Sequence, residues 1–369
     1  GVTTGTGNRY LGSAAALAYQ YYEKRMALIE KEGKPDIIEV QEYNAIGQYL
    51  IQNKYLLNPI LRQIPIVVHL HTPSFETLRI NQFNRYELPF YWTGEMEKFC
   101  IKGADALLCP SQFLADILQP MTDTSIQVIN LPFDIEQEAI DKYKDAITKP
   151  EKKTLLYFGR TEYRKGVVQM LKQADILWEK GLDFKIKIIG GDTVLDPTGR
   201  MIGEDLKQKY AARIESGNLE FLKSIPHLEL IPHILSATAV TIPSLYENFP
   251  NTCIYSMWLG KPVLVSKSGG QAEMVQESGK NGIIFDWDKE NDFAAKLEEL
   301  WNMNDEELQT MGNHARERIY ALCNMEKNCK LRKEFFETVI ANHKAKERFP
   351  FINSEMKKQP CPVAYEEEK

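Results

Sequence analysis

A chain of 369 residues that is 43% hydrophobic and 26% charged is far too long for one small core, and its composition suits an ordinary soluble protein of two domains. Its formal net charge of -6 lacks the basic excess of a nucleic-acid-binding surface, so no nucleic-acid partner is expected. No run of about 18 apolar residues exists, so no transmembrane segment is expected, which leaves peripheral contact with a membrane open.

The start carries no secretory signal. The six cysteines, at 100, 109, 253, 323, 329 and 361, form no Cys-x-x-Cys pair and have no histidine at zinc spacing. A reduced, cytoplasmic protein is the expectation, with Cys100, Cys109 and Cys253 packed in apolar segments.

The first ten residues contain Gly5 and Gly7, but no apolar strand precedes them, so they read as a flexible terminus rather than a phosphate loop. Ala14 to Glu32 is a long helical pattern. From Lys34 an alternation begins: a strand at Pro35 to Val40, a helix at Asn44 to Gln52 and a strand at Pro65 to Leu70. A helix at Tyr91 to Gly103 and a strand at Ala106 to Cys109 come next, then a helix at Gln112 to Leu118 and a strand at Ile126 to Leu131. Continuously apolar strands separated by helices indicate an α/β fold with a parallel sheet covered on both faces. Four strands make a thin sheet.

Between Phe133 and Lys153 the chain becomes charged, loses its apolar runs and carries Pro150, which places the interdomain linker there. A second alternation supplies strands at Thr154 to Phe158, Phe184 to Ile189, Leu219 to Leu222, Ala239 to Ile242, Pro262 to Val265 and Gly282 to Phe285. Six such strands complete a doubly wound domain, with ligands expected at their carboxyl ends. The expected division is residues 1–147, residues 148–304, amphipathic helices over 305–346, and a Pro-containing, acidic-ended tail over 347–369.

Two loops at strand ends carry the chemistry. The apolar run Ala239 to Ile242 stops at Pro243 and Ser244, and Asn251 or Thr252 can cap a helix that continues through Trp258 to Gly260. The first turn of a helix has unpaired amides and partial positive charge, so it favours an anion such as a phosphate. Glu247, in the same loop, would be repelled by that anion and instead suits sugar hydroxyls. Together they point to a sugar nucleotide. At another strand end, Gly159-Arg160 and Lys165-Gly166 frame the next helix, and a planar Arg fork with a compact Lys charge suits a diphosphate. An Arg and a Lys in a loop are more often solvated surface, but Glu247 and the Asn251 helix start lie at another strand end of the same sheet.

These residues resemble the nucleotide-binding half of a retaining glycosyltransferase of the two-domain GT-B fold, in glycosyltransferase family 4. The matching segments are Gly159-Arg160 with Lys165-Gly166, Gly190-Gly191, Pro243 through Pro250, Gly260-Lys261-Pro262-Val263, and Gly269-Gly270 with Glu273. The resemblance implies two Rossmann-like domains facing each other across a cleft, the first of them short. It makes Arg160 and Lys165 the residues that hold the donor diphosphate, and Glu247 the one that contacts the transferred sugar. Gly159, Gly190, Asn248, Phe249, Asn251, Thr252 and Tyr255 complete the expected donor site. His71, in His71-Thr72-Pro73 after the strand Ile66 to Leu70, falls where the family carries a histidine facing the sugar; a histidine there is otherwise a satisfied structural residue. His69 is a weaker candidate, Glu97 reads as structural support, and Glu39 to Tyr43 resembles the acceptor-side loop.

The pattern departs from the family in two places. Tyr255 stands eight residues after Glu247, where the family usually places a second Glu that grips the ribose. A tyrosine hydroxyl can still hydrogen-bond there but is neutral and longer. Family members also begin with a strand, a Gly-rich loop and further strands before a segment like Pro35 to Ile38, which makes a truncated first domain the expectation. The implied reaction moves a sugar from a nucleoside diphosphate sugar, as co-substrate, to a hydroxyl of a carbohydrate or glycolipid acceptor, with retained configuration. No cofactor and no metal is expected, because Arg160, Lys165 and the amides near Asn251 would stabilise the leaving diphosphate. The competing readings are a non-catalytic sugar-nucleotide scaffold, which Tyr255 favours, and an epimerase or phosphorylase of the same fold. A nicotinamide dehydrogenase is disfavoured, since no Gly-x-Gly-x-x-Gly follows a strand.

Overall fold

The apolar runs pair into two all-parallel sheets in a computed structural model that describes residues 12–143, 153–193 and 199–345. The first sheet has the order β1 (Ile38–Gln41), β2 (Ile66–His69), β3 (Ala106–Cys109), β4 (Ile126–Val128). In chain order the second comprises β5 (Lys153–Phe158), β6 (Phe184–Ile189), β7 (Leu219–Leu222), β8 (Ala239–Ile242), β9 (Val263–Ser266) and β10 (Ile283–Phe285). Its spatial order is β10-β9-β8-β5-β6-β7. All four residues of β2, β3, β8 and β9 are buried, as strands covered on both faces require.

Helices cover both sheets. Leu50, Ile51, Ile101 and Leu114 pack with Ile66 and Val68 in the first core, and Leu171, Leu177, Phe293 and Leu297 pack with Ile186 and Ile283 in the second. Full burial of each such side chain stabilises by about 2 kcal/mol. Cys100 and Cys109 are buried free thiols within the first core, and Cys253 is one in a further apolar cluster of the second domain with Leu156, Val240 and Val263. Phe335, Phe336 and Val339, on the C-terminal helix Met325–Asn342, pack against Val67, Leu108 and Ile129 of the first domain.

Several boundaries differ from expectation. The helix placed at Asn44 to Gln52 is a 3-10 turn at Tyr43–Ala45 followed by Gln48–Tyr55, and a helix at Ser74–Ile80 had no strong sequence signal. The described part of the expected linker is not bare chain. Phe133, Ala139, Ile140 and Tyr143, within and beside the short helix Gln137–Asp141, pack on the apolar cluster of the second domain that holds Cys253 and includes Ile231, Ile234 and Val240. The expected flexible terminus at residues 1–10 and tail at 347–369 lie outside the described residues. Among the described residues, no helix is long and apolar enough to cross a membrane.

Candidate active site

Strand order in the second sheet reverses between β5 and β8. Successive strands run outward from β5 through β6 to β7, and from β8 through β9 to β10. The loops leaving two such adjacent strands diverge to opposite faces and open a crevice at their carboxyl ends. Those two loops are Gly159 to Gly166 and Pro243 to Pro250. They touch because position 166 is glycine: its φ is +72°, and a Cβ there would lie 1.9 Å from the Pro243 carbonyl oxygen.

A chain of charges links the two loops. Lys165 Nζ contacts Glu247 Oε1 directly, Arg164 Nη1 lies 3.3 Å from the same oxygen, and Ser244 Oγ donates to it at 3.3 Å. Arg164 is almost wholly buried; its Nη1 donates to the Tyr246 carbonyl at 2.8 Å and its Nε to Glu162 at 3.2 Å. Arg160 Nη2 reaches the other Glu162 oxygen at 2.9 Å while leaving 60% of its side chain exposed. Burial alone would push the Glu162 carboxyl up, but Arg164, Asn81 and Arg160 outweigh it and hold it below the usual carboxylate range.

Facing this cluster, the first sheet presents His71 just beyond β2. Glu42, fully buried, accepts the His71 main-chain N–H at 2.7 Å, and the His71 Nδ1–H donates to the His69 carbonyl at 3.0 Å. The imidazole is half exposed, and the Glu42 carboxylate raises its pKa against the opposing effect of burial. Glu97 accepts from Ser74 N and Ser74 Oγ, at 2.7 and 2.6 Å, and from Asn44 N at 3.0 Å, so it braces the start of the Ser74–Ile80 helix behind the site. His69 is buried and bonded through Nδ1 to Glu39 Oε1, 3.1 Å away, and Arg332 of the C-terminal helix contacts the same oxygen.

Between the two sheets lies a cleft of about 560 Å³, whose lining includes His71 and Thr72 from the first domain and Arg160, Glu162 and Arg164 from the second. Four residues, Asn81, Asn248, Glu273 and Tyr246, hold the two domains together. The Asn81 amide donates to Glu162 at 2.6 Å and accepts from Arg164 N at 2.8 Å. Asn248 donates to the His71 carbonyl at 2.6 Å and accepts from Ser111 Oγ at 2.5 Å. Glu273 accepts from the main-chain N–H groups of Gln112 and Phe113, at the start of the Gln112–Leu118 helix. Tyr246 inserts into the first core, edge-on to Phe113 at 5.3 Å.

The structure brings His71, Arg160, Lys165 and Glu247 to one region, and places several other expected donor residues differently. Asn248 spends its amide on the domain contact, whose hydroxyl and carbonyl match its acceptor and donor ends. Phe249 is buried in the same apolar cluster of the second domain as Cys253. The N–H groups of Gly159 and Gly190 donate to Ile189 and Leu222 within the sheet, and Gly190 matters as a close approach, since a Cβ would meet the Gly159 oxygen at 1.8 Å. Neither Asn251 nor Thr252 caps its helix; Asn251–Trp258 begins after Pro250, which makes no side-chain cap bond, because Asn251 and Thr252 already lie in the first turn. Tyr255 sits edge-on to Phe133 at 5.0 Å, beside His227. Arg164, Glu162, Asn81 and Ser111 were missed, and Glu42 was marked only as part of the acceptor-side segment Glu39 to Tyr43. Arg164 and Glu162 had a signal, the one beside Lys165 and the other between Arg160 and Arg164; Asn81 and Ser111 have partners far away in sequence. Among the described residues no group of three or more His, Cys, Asp or Glu side chains is arranged to hold a metal ion.

Two facing parallel α/β domains with a cleft at the carboxyl ends of their strands define the GT-B class. The neighbours among solved structures are of that class. The sucrose-phosphate synthase of Thermosynechococcus elongatus superposes with a TM-score of 0.68 at 19% identity, over 89% of this chain and 79% of that one. Anabaena HepE in complex with UDP and glucose gives 0.65 at 16% identity, over 91% and 84%. Residues 139–318 match the family model of the glycosyl transferases group 1, and residues 3–137 match that of glycosyltransferase family 4. The chain belongs to this glycosyltransferase family. An uncharacterized glycosyltransferase of Methanocaldococcus jannaschii is 23% identical over 293 residues, 78% of this chain and 73% of that protein.

Proposed function

We propose that the protein is a retaining hexosyltransferase that moves a sugar from a nucleoside diphosphate sugar to a hydroxyl of a carbohydrate or glycolipid acceptor. The observation that carries this reading is the placing of His71 and Arg160 on opposite walls of one cleft, with the Lys165 and Glu247 pair at the switch point beside it. HepE, of the same fold, is recorded with UDP and glucose, which supports a donor of that chemical kind.

In this mechanism, breaking the sugar–phosphate bond places charge on the leaving diphosphate. Arg160 offers its exposed fork, and Lys165, with three N–H donors, keeps one on Glu247 and turns the others to phosphate. Fixed donors of this kind stabilise developing charge without reorganising. Glu247 and His71 contact the sugar, and the closed walls exclude water that would compete as acceptor. No cofactor is called for, and the two basic side chains take the role a metal plays in other transferases.

A thermal-shift screen with UDP-, GDP- and ADP-sugars tests the donor. A free ligand at a hundred times its Kd stabilises the folded state by about 2.7 kcal/mol. One nucleotide series should raise the melting temperature, and the same donor should then yield a glycosylated acceptor with retained configuration. Product that forms without any acceptor would point to an epimerase, and binding without turnover to a scaffold.

A further inference from the structure

Glu42 is wholly buried, yet its Oε2 has no hydrogen-bond partner. That oxygen lies 3.5 Å from Nδ1 of His71, while Oε1 accepts the His71 main-chain N–H at 2.7 Å. An unpaired oxygen on a buried carboxylate is costly, and a mere cap for one N–H group would not need the charge. We propose that Glu42 is the positioning residue for His71, gripping its main chain with one oxygen and facing its ring with the other, so that Nε2 is the nitrogen presented to the cleft. The inference rests on the reading of that cleft as a donor-sugar site.

The Nδ1 proton is committed to the His69 carbonyl, so the proton that comes and goes is carried by Nε2. Neutral His71 accepts a hydrogen bond there; protonated His71 donates one, to an oxygen of the bound sugar. The Glu42 carboxylate beside the ring favours the protonated form. The other groups that bear on the ring are few. Glu39 adds to the same effect and is clamped by Arg332; the His69 ring lies 4.5 Å away; Glu97 stands behind Glu42; Arg160 lines the cleft opposite.

An NMR titration of the His71 Cε1–H resonance in the full chain, assigned by its loss in His71→Gln, tests this. The midpoint should lie above the ordinary ~6.5 and fall by about one pH unit or more in Glu42→Gln, which keeps an acceptor for the main-chain N–H and removes the charge. In steady-state assays at pH 7 the same variant should lose about tenfold in kcat, with the donor KM within about twofold. Glu42→Asp, which keeps the charge, should recover most of the midpoint. A wild-type midpoint at or below ~6.5, which needs no variant, overturns the proposal, as does an unchanged midpoint in folded Glu42→Gln. If no donor is turned over yet the midpoint still falls in Glu42→Gln, the donor-sugar reading fails while the hold of Glu42 on His71 stands.

Discussion

The Lys165 ammonium rests directly on the carboxylate of Glu247, 82 positions further along the chain, and Arg164 backs the same oxygen at 3.3 Å. The pair joins the two loops of the switch point into one unit. Glu247→Gln would leave Lys165 without its carboxylate and Arg164, whose side chain is only 7% exposed, with Glu162 alone. Breaking a buried pair from one side costs about 3 kcal/mol or more. Chemical denaturation should show a loss of that order together with lost turnover; unchanged stability would mean that the charge cluster is not holding the loops.

Arg160 is more exposed, so its removal separates chemistry from folding. Losing one preorganised donor costs about 3 kcal/mol of barrier. Arg160→Ala should therefore cut kcat by about a hundredfold while the melting temperature stays within a degree or two of the parent. Full turnover in this variant would remove Arg160 from the diphosphate site.

Tyr255 packs its ring against Phe133. Tyr255→Phe keeps that packing and deletes the hydroxyl, so it isolates any bond to the nucleotide. One such bond contributes about 1 kcal/mol, or roughly fivefold in nucleotide affinity, measured by calorimetry with the nucleoside diphosphate. Equal affinity in the two proteins would assign Tyr255 to packing alone.

Burial pushes the Glu97 carboxyl up from 4.5 to about 7, against the hydrogen bonds from Ser74 and Asn44 that favour its charged form. A carboxyl whose folded pKa is raised stabilises fully below its unfolded value, and that contribution is lost as pH rises through about 7. Urea denaturation of the parent should show this loss between pH 4.5 and 7, worth about 3 kcal/mol at most. In Glu97→Gln the pH dependence should flatten by a comparable amount; an identical slope would contradict the burial argument.

The sequence alone determined the ten strands: the central ones are apolar runs that only a doubly covered parallel sheet can bury, and the others are short apolar-containing segments between helical patterns. Residue types and spacing likewise marked Arg160, Lys165 and Glu247, since they stand at strand ends within short, dense motifs. What the tertiary structure decided is which side chains face one another. Asn248 reads as a donor ligand in its motif, yet its amide bridges Ser111 and His71. Asn81 carries no local signal, since Glu162 and Arg164 come near it only where the two domains meet, and Glu42 meets His71 only through the turn after β2. Periodicity and motif spacing report the chain's own geometry over a few residues. Hydrogen bonds and ion pairs across a cleft depend on how two finished domains meet, and that is set by packing over the whole interface.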